Sequence, residues 1–342
     1  MSTNRIGLEF NGLEEANHQH PFYPLTACLE EGYLKVSNIH TLYYATYGNT
    51  KGIPVIVLHG GPGAGCQQAF LKVFDLNRFF VITFDQRGSM RSSPLGSIEE
   101  NTPQHSVEDI ETLRKHFEIE QWLIFGGSWG VALATLYGQK YPEKCLGFIL
   151  RGAFLGRKLD YLNVLYGMGR VFPEAYDVFI QFIPEEERHD LLTAYYRRVM
   201  DPDLKICMPA ARKFMKFDLI CGSHLPDPAK VDKFLQKDDF VLGVSKLFLH
   251  YSMHDFFLEN NQILSNMNRI SHLPAIIVHG RWDAVCLPET AYLLHKHWKN
   301  SLLWFVLGGG HSSNDPAIAA SLATAMDTFA EQLVLTTSLS WI

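Results

Sequence analysis

Gln121-Trp122-Leu123-Ile124-Phe125-Gly126-Gly127-Ser128-Trp129-Gly130 is the stretch on which the reading of this chain turns. Trp122–Phe125 has the length and the aromatic and branched content of a buried strand. Directly after Gly130, Val131–Tyr137 reads as a helix. A Gly-x-Ser-x-Gly word between strand and helix sets its serine on a sharp turn, with the hydroxyl above the sheet and glycines admitting the crowded backbone. The helix also aims its first N–H groups at the reacting atom. Ser128 is therefore the candidate nucleophile.

Working outward, Ile53–Leu58, Phe79–Phe84, Phe148–Leu150, Pro274–Val278 and Leu302–Leu307 are short apolar runs of the kind buried on both faces of a sheet. Gly32–Val36 and Thr41–Tyr47, joined by a turn at Ser37-Asn38, read as a hairpin that adds an antiparallel edge. Ser106–Phe117 has helical spacing, with Val107, Ile110, Leu113 and Phe117 on one face, and Ala317–Val334 is amphipathic. Residues 1–30 show little periodicity and are expected to drape over the core. Strands alternating with helices predict an α/β fold, with a mostly parallel central sheet, helices on both faces and right-handed crossovers. Residues 157–268 interrupt the alternation with helix-like segments at 173–182, 185–199, 209–220 and 229–258, broken at Pro184, Pro202 and Leu225-Pro226-Asp227-Pro228. The expected organisation is a discontinuous core, 1–156 and 269–342, carrying an inserted helical cap at 157–268 over the strand ends.

Composition narrows the class. Hydrophobic residues make up 47% and charged residues 19%, ordinary for a globule with a sizeable core. A net charge of -6 without a Lys/Arg block argues against a nucleic-acid partner. No apolar run approaches the roughly 20 residues that span a bilayer, so no membrane partner is expected. Met1-Ser2-Thr3-Asn4-Arg5 leads into no signal-like segment. Cys28, Cys66, Cys145, Cys207, Cys221 and Cys286 are scattered without a C-x-x-C pair, against a disulfide framework or zinc site. Reduced thiols in the cytoplasm are the expectation, and oligomeric state is left open.

A serine hydroxyl needs a base to take its proton, and the base needs a partner to fix its tautomer. His279-Gly280-Arg281-Trp282-Asp283 follows one strand, and Gly308-Gly309-Gly310-His311 follows the next. Singly, an aspartate there is a turn former and a histidine a surface residue. Together, Ser128, Asp283 and His311 stand at strand ends in the Ser…Asp…His order of α/β-hydrolases. His59-Gly60-Gly61-Pro62-Gly63 supplies the remaining part: Gly61, with Trp129 after the nucleophile, offers backbone N–H donors for an oxyanion. Glycines 60, 61, 63 and 65 never give G-x-G-x-x-G, so a nucleotide loop is excluded.

The chain resembles the prolyl aminopeptidase (proline iminopeptidase) family of α/β-hydrolases. The matching words are His59-Gly60-Gly61-Pro62-Gly63, Phe84-Asp85-Gln86-Arg87-Gly88, Gly126-Gly127-Ser128-Trp129-Gly130, Leu150-Arg151-Gly152, His279-Gly280-Arg281-Trp282-Asp283 and Gly310-His311-Ser312, in family order from about 22 to 330. The resemblance implies release of an N-terminal proline from short peptides or small amides, without metal or cofactor. It also implies a small apolar pocket for the proline ring, matched by Arg151, Phe154 and Cys286, and cap acids for the free amine. Here the chain departs from the family. One family glutamate falls at Asp218, shorter by a methylene, and a second falls at Phe248, where a charge-assisted partner is lost. Met90 stands where the family has glycine, and Asp255 and Glu259 are the acids at hand to compensate. Two alternatives stay open: an esterase or amidase using the same triad on substrates without a free amine, and a non-catalytic member that binds a ligand under its cap.

Overall fold

The computed structural model describes residues 9–339, so expectations for residues 1–8 lie outside it. One sheet runs in the order β1-β9-β8-β7-β6-β4-β5-β3-β2. Its strands are β1 (Gly12–Ala16), β2 (Glu30–Lys35), β3 (Thr41–Gly48), β4 (Ile53–Leu58), β5 (Phe79–Phe84), β6 (Trp122–Gly127), β7 (Cys145–Arg151), β8 (Ala275–Gly280) and β9 (Ser301–Val306). β3 is antiparallel to β5 and β2 antiparallel to β3, and the remaining pairs are parallel.

The two-residue period of a strand sorts the apolar runs into two cores. Val55, Val57, Leu123, Phe125, Ile276 and Val278 face one way, onto Ile318, Leu322, Met326 and Phe329 of α11 (Pro316–Leu339). Ile56, Leu58, Trp122, Ile124 and Ile277 face the other way. There they meet α1 (Pro103–His116), α2 (Trp129–Lys140) and α10 (Pro288–His297). Burial of each such side chain is worth roughly 1.5–3 kcal/mol.

Between β7 and β8 every element is helical: α3 (Lys158–Leu162), α4 (Pro173–Ile180), α5 (Leu191–Val199), α6 (Leu204–Cys221), α7 (Pro228–Leu235), α8 (Asp238–Met253) and α9 (Gln262–Ser265), with short 3-10 and π turns. Aromatic packing binds these helices together. Phe179 stacks on Tyr195 at 4.5 Å and on Phe217 at 4.6 Å, and Phe214 meets Phe248 at 5.5 Å.

Three expectations need correction. Residues 12–16 do not drape loosely but form β1, parallel to β9 at the sheet edge. Only Ala16 of this strand is buried, so backbone pairing holds it and no apolar alternation marks it. Helix α10 follows β8 and was not anticipated, since only Thr290, Ala291 and Leu294 of its ten residues are buried. The single helix read at 229–258 is two, α7 and α8, and Asp227 caps the first by accepting from the N–H groups of Ala229 and Lys230.

A buried polar chain ties α8 to the sheet. Tyr251 donates its hydroxyl to Asn101 at 3.0 Å, and the Asn101 amide donates to the Arg87 carbonyl at 3.0 Å. Arg87 in turn grips Asp109 of α1 through two bonds of 2.7 and 2.8 Å, both side chains being buried. Asp109→Ala leaves the buried Arg87 with only the Glu100 carbonyl at 2.6 Å and the more exposed Glu100 carboxylate at 3.9 Å. It is expected to lower unfolding stability by about 3–5 kcal/mol, seen as a lower urea midpoint at unchanged slope.

Candidate active site

The turn after β6 is built by close approach. Ser128 sits at φ 57 and ψ -121, a conformation that L-residues rarely adopt and that costs on the order of 1–3 kcal/mol. A Cβ on Gly130 would lie 2.1 Å from the Leu58 carbonyl oxygen, so no other residue fits where α2 crosses β4. The Ser128 N–H donates to the Arg151 carbonyl at 2.8 Å, pinning the turn to the end of β7.

Ser128 Oγ lies 3.0 Å from His311 Nε2, and His311 Nδ1 lies 2.8 Å from Asp283 Oδ2. Because Nδ1–H donates to the carboxylate, Nε2 is left to accept the serine proton. The other Asp283 oxygen accepts from the N–H groups of Val285 at 3.0 Å and Cys286 at 2.8 Å. Burial pushes the Asp283 carboxyl up, but the His311 charge and hydrogen bond, His279 and the Cys286 N–H outweigh it and hold it below its ordinary value. Asp283 is therefore a fixed anion behind the imidazole.

His279, at the end of β8, braces this arrangement. Its Nδ1 accepts from the Ala153 N–H at 3.1 Å, so Nε2 carries the proton and donates to the Cys286 carbonyl at 2.9 Å. Full burial lowers its basicity and keeps it neutral. In the sequence His279 is visible only as the first residue of the word that ends at Asp283, with no local signal of this bracing.

Gly61 and Trp129 are the residues expected from the sequence to offer oxyanion donors. Among the described residues neither backbone N–H donates to a protein acceptor. Trp129 opens α2, where no intrahelical partner exists. Gly61, at φ 108, turns in a region open to glycine.

A cavity of about 430 Å³ opens above Ser128, lined by Gly60, Gly61, Arg151, Phe154, Asp218, Phe248, Cys286 and His311 among others. Ser128 itself lines the cavity, Asp283 lies behind it on His311, and Trp129 directly follows Ser128 in the chain. Phe214, Phe234 and Phe240 add apolar wall that sequence reading did not single out. Arg151 donates to the His311 carbonyl at 2.8 Å and has no carboxylate ion-pair partner among the described residues. The Cys286 sulfur lies 4.0 Å from Ser128 Oγ, but burial pushes its thiol well up, so it does not compete as a thiolate nucleophile.

The acidic residues divide differently from expectation. Asp218, on α6, is half-buried in the cavity wall with no side-chain partner among the described residues. Burial raises its carboxyl above the usual value, His311 lowering and Asp283 raising it further. Asp255 does not compensate for Phe248: it is exposed and accepts from Tyr161 at 2.5 Å. Glu259 does not either, lying on a separate cleft beside Gln104 and Lys140.

The segment carrying Asp255 holds an unexpected device. Asp255, Phe256 and Phe257 have φ of 48, 54 and 53, one left-handed turn without a glycine. It drives the fully buried Phe256 ring to 5.6 Å from Trp129, 4.9 Å from Phe154 and 6.0 Å from Phe248. Asp-Phe-Phe carries no sequence signal for such a turn. Met90, at φ 40, is likewise left-handed without being glycine.

Comparison with known proteins agrees with this geometry. A family profile described as the alpha/beta hydrolase fold matches residues 53–317. A probable proline iminopeptidase of Leptolyngbya boryana is 40% identical over 312 residues, covering 91% of this chain and 97% of that protein. A proline iminopeptidase of Arabidopsis thaliana is 40% identical over 298 residues, covering 86% and 78%. One of Neisseria gonorrhoeae is 35% identical over 316 residues, covering 91% and 100%. Among solved structures, a proline iminopeptidase-related protein from Thermus thermophilus shares the fold at a TM-score of 0.60 and 20% identity, covering 91% of this chain and 100% of that one. A bromoperoxidase from Bacillus anthracis does so at 0.63 and 19%, covering 88% and 100%. With a serine, a histidine and an aspartate hydrogen-bonded in series above a parallel sheet, and relatives of this identity along nearly its whole length, the chain belongs to the proline iminopeptidase family of α/β-hydrolases.

Proposed function

We propose that this protein is a serine aminopeptidase that releases N-terminal proline from short peptides or small amides through an acyl-enzyme. The observation that carries the reading is the unbroken hydrogen-bonded series Ser128–His311–Asp283 beneath a cavity with one unpartnered acid. His311 Nε2 takes the Ser128 proton while Asp283 stabilises the imidazolium. Ser128 Oγ attacks the substrate carbonyl, and the Gly61 and Trp129 N–H groups hold the oxyanion. His311 then protonates the leaving amine, and water repeats the sequence on the acyl-enzyme to release the free acid.

Asp218 is the group suited to the substrate ammonium. A carboxylate without a partner in a half-closed cavity gains most when a cation arrives. Phe154 and Phe248 offer apolar surface to the proline ring. Residues 157–268 act as a cap that restricts entry to small substrates. The relatives named proline iminopeptidases supply the choice of proline. A second reading, an esterase or amidase for apolar acyl groups, draws on Phe248 standing where a second acid would bind the amine.

Three measurements test these roles. Ser128→Ala should lower kcat by about 10⁴-fold or more with the circular dichroism spectrum unchanged; retention of a few per cent of activity would remove Ser128 as nucleophile. Proline amide should be hydrolysed and N-acetylproline amide left intact, whereas cleavage of both selects the esterase or amidase reading.

Asp218→Asn should raise KM for proline amide, costing about 10–100-fold in kcat/KM, as expected for one charged hydrogen bond. Its effect on stability has the opposite sign. A carboxyl with a raised folded pKa binds more protons folded than unfolded, so its ionisation destabilises the fold as pH rises through that window. The Asn variant should melt higher than wild type at neutral pH, and the gain should vanish below the ordinary carboxylate range. Equal melting temperatures at both ends would contradict this.

A further inference from the structure

Phe84-Asp85-Gln86-Arg87-Gly88 runs from the last residue of β5 into the loop after it and takes no part in the proposed chemistry. The neighbours of Gln86 are anchored outward. Asp85 accepts from the Cys66 N–H at 2.7 Å and from Arg91 at 2.7 Å, and Arg87 pairs with Asp109. Gln86 points the other way. Its amide N–H donates to the His59 carbonyl at 2.9 Å, and its amide oxygen accepts from the Trp129 indole N–H at 2.9 Å. Its backbone N–H donates to His59 Nε2 at 2.9 Å. The His59 proton must then sit on Nδ1, which donates to the Gly60 carbonyl at 2.9 Å.

These bonds join the two pieces of backbone that carry the oxyanion donors. The His59–Gly61 loop holds one, and Trp129 holds the other. Resting on the reading of Gly61 and Trp129 as those donors, we propose that Gln86 is a positioning residue for the oxyanion hole, a buried clamp that sets the separation of its two N–H groups. Gln86, His59 and Trp129 are 4%, 2% and 0% exposed, so water cannot substitute for a lost bond without opening the core. A primary amide suits the task because it presents a donor and an acceptor in one rigid plane, so gripping both partners fixes its own orientation. Burial lowers the basicity of His59 and keeps it neutral, which preserves the lone pair that accepts the Gln86 N–H. An oxyanion donor works only within about 2.7–3.1 Å of the developing charge, and misplacement by about 1 Å costs on the order of 100-fold.

The test uses Gln86→Met, similar in size but unable to make either side-chain bond, and Trp129→Phe, which keeps the backbone donor and removes the indole N–H. Active sites are counted by fluorophosphonate titration of Ser128. Then kcat and KM are measured on a chromogenic proline anilide, and inhibition by a boronic acid analogue of proline, whose tetrahedral adduct occupies the hole. In each variant kcat per titrated site should fall about 10–100-fold, with KM within about twofold. Boronate inhibition should weaken by the same factor, and the double variant should be no worse than the poorer single one. A purely structural role would lower the melting temperature and the titratable fraction but leave kcat per titrated site unchanged. That result, a loss confined to KM, or losses that multiply in the double variant would each overturn the inference. Should Gln86→Met not fold, normal kcat in Trp129→Phe overturns it alone. Wild-type protein that is neither labelled at Ser128 nor active on the anilide would instead overturn the proposed function, and the clamp with it.

Discussion

Ser128 is held at φ 57 and ψ -121, and most of the architecture around it serves to keep it there. The strain of such a residue must be met by neighbours that leave it no alternative. β6 supplies a rigid entry and α2 a rigid exit, and the Arg151 carbonyl at the end of β7 takes the serine N–H. Gly130 lets α2 lie against the Leu58 carbonyl. The parallel sheet then does the rest, since strands β4, β6, β7 and β8 all end on the same side. Gly61, Ser128, Arg151 and Asp283 therefore arrive in one place from distant parts of the chain.

Electrostatics at the site divide into settled and unsettled groups. Asp283 is buried, saturated with hydrogen bonds and stabilised as an anion. His279 is buried, neutral and doubly bonded. Asp218 is the reverse: its carboxylate is disfavoured by burial and has no partner in the described chain. The proposed amine-binding role of Asp218 rests on this contrast between a satisfied framework and one acid without a partner among the described residues.

The apolar side of the cavity rests on a second strained element. The left-handed turn Asp255-Phe256-Phe257 is unfavourable for residues other than glycine, and burial of Phe256 among Trp129, Phe154, Tyr161, Phe248 and Tyr251 works against that cost. Tyr161 fixes the turn by donating to Asp255. Asp255 is thereby committed to structure, and Phe248 finds an aromatic neighbour. The cavity wall and the elbow residue Trp129 are thus packed against one and the same ring.

The order and spacing of motifs in the sequence determined the α/β fold and pointed to Ser128, Asp283, His311 and the His59–Gly63 loop as the candidate site. Each of these is a local pattern: apolar runs with a two-residue period, a glycine-flanked serine, and an aspartate and a histidine directly after strands. Other features left no local pattern. β1 is held by backbone pairing with β9, to which its mostly exposed side chains contribute little. Whether Asp255 or Glu259 compensates for Phe248 is not legible in the sequence, because where a side chain points depends on what packs behind it. The bracing by His279, the reach of Gln86 to both His59 and Trp129, and the wedge of Phe256 all join residues far apart in sequence. Chemistry that resides in a residue type and its neighbours can be read along the chain. Chemistry that resides in distance, burial and the absence of a partner exists only once the chain has closed on itself.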